Sequence, residues 1–285
     1  MMGSGLSNQA GAAIGALAFP VLGPVGVVAV RQWVAAAILM AAGRPRLRCF
    51  TRAQWRLVLG LAAVFATMNV TLYAAIDRIG LGLAVTLEFL GPLTVALMGS
   101  RRRIDLVCAL AAGCAVVVLT RPQPSTDYFG IALALLAAGC WGCYILLNRT
   151  VGKRLPGLEG SAAAAAVSAV FYLPVGAGSL LAHQPTVESL MCALAAGVLS
   201  SAVPFLCDLL ALRRVPARFF GVFMSINPVC ATLIGMLVLA ERLDPASWLA
   251  MAVIVTANTV AVGSSARRER SSPRDLRDTS AARSG

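Results

Sequence analysis

Apolar residues run along this chain in blocks of about twenty, separated by short clusters of Arg, Pro, Gly and Asp. A helix that crosses a bilayer needs about 20 predominantly apolar residues. On that scale the pattern predicts ten spans, at roughly 6–22, 24–43, 55–76, 79–99, 104–120, 128–148, 158–182, 188–211, 217–240 and 246–263. The expected fold is therefore all-α, a polytopic membrane protein of ten transmembrane helices. Beyond Ser264 the sequence is rich in Arg, Ser and Asp without apolar periodicity, and residues 266–285 are expected to form a disordered basic cytoplasmic tail.

Composition agrees with that class. Of 285 residues 59% are hydrophobic and 13% charged, where a soluble chain carries about 25% charge. The net charge of +12 raises the alternative of a nucleic-acid partner, and the positions of the charges decide against it. Arg44, Arg46, Arg48, Arg52 and Arg56 lie between spans 2 and 3; Arg101, Arg102 and Arg103 lie between spans 4 and 5. Arg149, Lys153 and Arg154 follow span 6, Arg213, Arg214 and Arg218 follow span 8, and six more arginines lie in the tail. The alternate connections hold only Arg78, Arg121 and Arg242, and Arg31 lies within a span. This alternation is a topology signal, and it predicts that both termini are cytoplasmic.

The first span starts almost at Met1 and carries Asn8 and Gln9. It is expected to be short or distorted, or truncated by a mis-assigned start. No basic leader precedes it, so no cleavable signal peptide is expected.

Shifting the chain by 136 residues lays Ala75–Pro92, AIDRIGLGLAVTLEFLGP, on Ala211–Pro228, ALRRVPARFFGVFMSINP, with Arg78 on Arg214 and Pro92 on Pro228. Spans 4 and 5 then correspond to spans 9 and 10, which predicts a five-plus-five duplication: a first repeat at 1–122 and a second at 126–265. Five is odd, so the copies cross the membrane in opposite senses. Inverted repeats of this kind mark transporters with midplane sites at the repeat interface.

Glu88 lies near the middle of span 4. A charge at a helix centre costs about 2.5–3.5 kcal/mol on insertion scales, so Glu88 should face the bundle interior, be paired, or carry a proton. Pro92 has no N–H, which leaves the carbonyl of Glu88 without its helical partner. A carboxyl that can exchange a proton suits a proton-coupled carrier; a glutamate locked to an arginine for packing is the plainer reading. Arg31 could bind a substrate carboxylate bidentately, neutralise Glu88 or Asp208, or snorkel to the nearby helix end. Asp208, after Pro204 in span 8, is either functional or interfacial. Asn69 and Tyr73 share a helix face, as do Trp141 and Tyr144, and each pair serves substrate contact or helix packing. Asn227, before Pro228, is a second midplane polar group.

Other chemistry is sparse. The CWGC stretch at 140–143 lies inside an apolar run and reads as helix packing rather than a redox pair. No Walker A motif, metal-ligand cluster or nucleophile–base pair stands out, so an enzyme, an ATP-driven pump and a bound cofactor are not expected. Scattered serines read as interhelical hydrogen-bonding groups.

Six stretches resemble the drug/metabolite transporter superfamily, and within it EamA-type proteins. They are SNQAGAAIGALAFPVLGPVGVVAVR (7–31), MNVTLYAAI (68–76), VTLEFLGPLTVAL (85–97), GCWGCYIL (139–146), SSAVPFLCDLLALRRVPARFFGVFMSINP (200–228) and LAERLDP (239–245). The resemblance implies an inner-membrane carrier with two five-helix repeats that exports small amino acids, threonine- or homoserine-like, or related metabolites against proton entry. It gives Glu88 the place of the family's glutamate, and Asp208 the place of another acid. Asn227 replaces a family glutamate, so substrate or stoichiometry can differ. Expected partners are a small-molecule substrate, protons and the lipid bilayer, with a homodimer left open. The competing readings are an EamA-type carrier for a different metabolite or drug, and a non-transporting membrane partner protein.

Overall fold

A computed structural model of the chain describes residues 2–98, 127–155, 158–183, 185–203 and 227–241. It also describes positions 107, 110, 111, 113–115, 245, 248, 249, 251–257, 259 and 260. Among these residues every regular element is helical. The principal helices are α1 (Met2–Ala16), α2 (Phe19–Gly43), α3 (Arg52–Ile79), α4 (Leu81–Glu88), α5 (Leu90–Met98), α6 (Tyr128–Arg154), α7 (Glu159–His183), α8 (Val187–Gly197) and α9 (Asn227–Val238).

Local chemistry accounts for the boundaries. α3 begins with a capping box in which Gln54 N–H donates to Thr51 Oγ1 at 3.3 Å and Thr51 N–H to Gln54 Oε1 at 2.8 Å. It ends at Gly80, whose φ of 82° suits glycine. Asp127 caps α6 by accepting from Gly130 N–H at 2.9 Å, and Thr186 caps α8 by accepting from Ser189 N–H at 3.2 Å. Gly23, at φ 67°, interrupts α2 ahead of Pro24, which is where the sequence pattern separates spans 1 and 2. The Leu22 carbonyl beside this kink accepts from Ser179 Oγ at 2.9 Å, so a neighbouring helix supplies the partner that the kink removes.

Phe19–Gly43, Arg52–Ile79, Tyr128–Gly152 and Glu159–Ala182 are each long and apolar enough to cross a bilayer. Leu81–Val95, which takes in α4 and most of α5, Val187–Ser200 and Asn227–Val238 are shorter apolar stretches. Span 5 falls largely outside the described residues, as do the end of span 8, the start of span 9 and parts of span 10.

Along α7 the inward face is built mostly of small residues and the outward face of large ones. On α7, Ala162–Ala165 and Ala169 are buried, whereas Val170, Phe171, Leu173 and Val175 point outward. In lipid the outward side chains gain nothing by burial, so close packing of small residues holds the helices together. At Gly176 an added Cβ would lie 2.9 Å from the Trp33 ring, which sets how closely α7 approaches α2. α2 packs along α7, α3 along α6, α1 against α8 and α9, and α4 against α6 and α9.

Candidate functional site

Span 4 does not run as one helix. α4 stops at Glu88 and α5 restarts at Leu90, so the interruption sits at Phe89, immediately beside the carboxyl. The cause lies one turn ahead: Pro92 cannot donate to the Glu88 carbonyl, and the ladder loosens there. Gly91 lets α5 press onto α6, because any Cβ would run into the Ala138 carbonyl. Phe89 meets the Trp141 ring edge-on at 4.8 Å, a pairing worth about 0.5–1.5 kcal/mol beyond its buried area. The Glu88 side chain is buried at 6% exposure, and the charge acting on it is that of Arg31.

Arg31 projects from α2 into the bundle rather than toward the helix end. Its Nη1 donates to Asn69 Oδ1 at 2.8 Å, and its guanidinium carbon lies 5.1 Å from the centre of the Tyr73 ring. Asn69 Nδ2 donates to the Phe65 carbonyl at 2.8 Å, which fixes the amide with its oxygen toward Arg31. Phe19 braces the other side of Tyr73, with ring centres 5.8 Å apart. Asn69 and Tyr73 are buried at 2% and 1% exposure. Two buried polar atoms have no hydrogen-bond partner in this cluster: Arg31 Nε and Tyr73 Oη. Orphaned donors in a dry interior are costly unless a ligand or water meets them.

Arg31, Asn69, Tyr73 and Glu88 therefore belong to one neighbourhood. Trp141 borders it through Phe89. Tyr144 does not join it: it packs on Phe65, 5.8 Å between ring centres, in the separate cluster of Val58, Leu61 and Val151. Asn227 begins α9 next to Pro228, and its side chain abuts Gly5 of α1. Pro204 and Asp208 lie outside the described residues.

Two features of the site were not singled out from the sequence. Tyr172 on α7 donates to the Ala66 carbonyl at 2.6 Å and also feels the charge of Arg31. Gln32 Nε2 donates to Ser168 Oγ at 3.1 Å, and Trp33 Nε1 to the Ala169 carbonyl at 3.1 Å. Both of these contacts join residues 136 apart, the same shift that lays Ala75–Pro92 on Ala211–Pro228, and that shift was the signal available. An apolar groove of about 450 Å³ lies elsewhere, between Val107, Ala111, Val253 and Thr256, and none of the residues above lines it.

The comparisons with known proteins agree with this architecture. The profile of the EamA-like transporter family matches residues 128–262. Over 259 residues the chain is 36% identical to the threonine/homoserine exporter RhtA of Escherichia coli (strain K12), covering 88% of this chain and 86% of that one. RhtA of Salmonella typhimurium (strain LT2) gives the same identity and coverage. The uncharacterized transporter YwfM of Bacillus subtilis (strain 168) is 25% identical over 70% of this chain and 71% of its own. A solved crystal structure superposes with a TM-score of 0.59 at 20% identity, covering 94% of this chain and 98% of the other, a likeness of fold alone. The chain belongs to the EamA-like transporter family of the drug/metabolite transporter superfamily.

Proposed function

We propose that this protein is a secondary transporter of the bacterial inner membrane that exports small amino acids of the threonine/homoserine type by proton antiport with alternating access. The observation that carries the reading is Glu88: a buried carboxyl at a helix interruption, within reach of the charge of Arg31. A free amino acid is a zwitterion. Arg31, with its unpartnered Nε and the adjacent Tyr73 hydroxyl, offers donors for the carboxylate. Glu88 then holds either the substrate ammonium or a proton, and this exclusive choice is the coupling step. The relatives that are exporters of threonine and homoserine support the choice of cargo.

Alternating access draws support from the helix pairings. Exchanging the two halves turns the pairing of α3 with α6 into that of α8 with α1. It likewise turns α2 on α8 into α7 on α3, and α5 on α6 into α9 on α1. The Gln32–Ser168 and Trp33–Ala169 contacts then lie on the exchange axis. Ten spans in two inverted five-helix repeats, with cytoplasmic termini, fit these relations. The test is efflux of a radiolabelled panel of amino acids, other metabolites and drugs from vesicles loaded with each in turn under an imposed pH gradient. Gradient-driven flux of threonine or homoserine is expected; flux of a different metabolite or drug would move the cargo, and no flux of any kind would remove the transport reading.

A further inference from the structure

Glu241 lies just beyond α9, in the second half of the chain, yet its carboxylate reaches into the first. Oε1 accepts from the backbone N–H of Leu81 at 2.6 Å, and Oε2 from that of Gly82 at 3.3 Å. These are the first two amides of α4, which have no partner within the helix, and a carboxylate there is favoured by the helix dipole as well.

The surroundings are cleared for this contact. A Cβ on Gly80 would lie 2.9 Å from the Glu241 carboxyl carbon, one on Gly235 would run into Oε2, and one on Gly82 would lie 2.8 Å from Thr232 Oγ1. Ala240 adopts φ 52°, a left-handed conformation that a residue with a Cβ enters at a cost. That turn brings the Glu241 N–H back to the Gly235 carbonyl at 3.2 Å and directs the side chain at α4. Beside it, Arg78 and Asp127 pair at 3.0 Å, so polar links gather at this one end of the bundle.

We infer that Glu241 is a positioning residue for transport, a clamp between the two halves of the chain. It holds one end of α4, a rigid rod of about 10 Å, whose other end carries Glu88. Rocking one half against the other must release this clamp before the site opens at that end. The inference rests on the transport reading above.

The test combines efflux kinetics with hydrogen–deuterium exchange of the purified full chain, for Glu241→Gln, Glu241→Asp and Gly235→Ala. Gly235→Ala keeps the charge and displaces the carboxylate, so it separates position from charge. Glu241→Gln and Gly235→Ala are expected to speed amide exchange in the first turn of α4 about tenfold while α7 is unchanged. Maximal flux should fall about tenfold with KM held within about threefold, because the clamp does not touch cargo. Glu241→Asp should recover part of both effects. Unchanged exchange in α4, or faster exchange with wild-type flux, would overturn the positioning role. A wild-type protein that moves no cargo would remove the transport reading and that role together, while exchange still reports the clamp itself.

Discussion

Arg31 Nη1 and Asn69 Oδ1 share a 2.8 Å hydrogen bond across the α2–α3 interface, deep within a bundle of apolar helices. The bond uses one Nη1 donor of the guanidinium edge and leaves Nε without a partner. A guanidinium bonded at Nη1 and set over the Tyr73 ring, with a buried Nε left over, is arranged to receive an anion at that nitrogen.

If Arg31 binds the cargo carboxylate, a lysine will not replace it, because a point charge lacks the planar donor fork. Arg31→Lys and Arg31→Gln should each reduce efflux by about tenfold or more. Efflux assays on membranes with matched protein levels check this, and wild-type flux in Arg31→Gln would return the residue to a packing role.

Tyr73 offers a cleaner separation of function from fold. Its hydroxyl is buried and unpartnered, and such a group costs about 1–3 kcal/mol. Tyr73→Phe should therefore melt no lower than wild type in detergent, while its apparent affinity for cargo weakens. A drop in melting temperature would show that the hydroxyl already has a structural partner.

Gly91 sets the approach of α5 to α6, against the Ala138 carbonyl. Gly91→Ala should destabilise the protein by about 1–3 kcal/mol through overpacking, read as a lower melting temperature. The same change at Gly139, where an added Cβ meets nothing within 4 Å, should be far milder.

Asp127 caps α6 and pairs with Arg78 at 3.0 Å. The Gly130 N–H first, then Arg78, holds its carboxyl below the usual carboxylate range. The folded value is thus lower than the unfolded one of about 3.9. The contribution is complete above the unfolded value and disappears as pH falls through the folded one. The melting difference between wild type and Asp127→Ala should stay level from about pH 7 to 5 and close below about pH 4. A difference that persists under more acid conditions would contradict the assignment.

Glu88, Pro92 and the break between spans 1 and 2 were legible in the sequence because each departs from an apolar block by residue type alone. The interruption itself falls at Phe89, since a proline acts on the carbonyl four residues earlier. Whether Arg31 turns inward was not legible: sequence gives its depth, whereas the choice between snorkelling and burial depends on Asn69 and Tyr73 on another helix. Tyr144 and Trp141 share a helix, yet Phe65 draws one away and Phe89 holds the other near the site. Glu241 sits in the LAERLDP stretch with nothing local to mark its role, because its partners are backbone amides 159 and 160 residues away.

The most direct test of proton-coupled export is efflux of labelled threonine and homoserine from proteoliposomes with and without an imposed proton gradient, comparing wild type with Glu88→Gln. The account predicts gradient-stimulated efflux for wild type and none for Glu88→Gln, with the variant inserted at normal levels. Equal stimulation of both proteins by the gradient would contradict it.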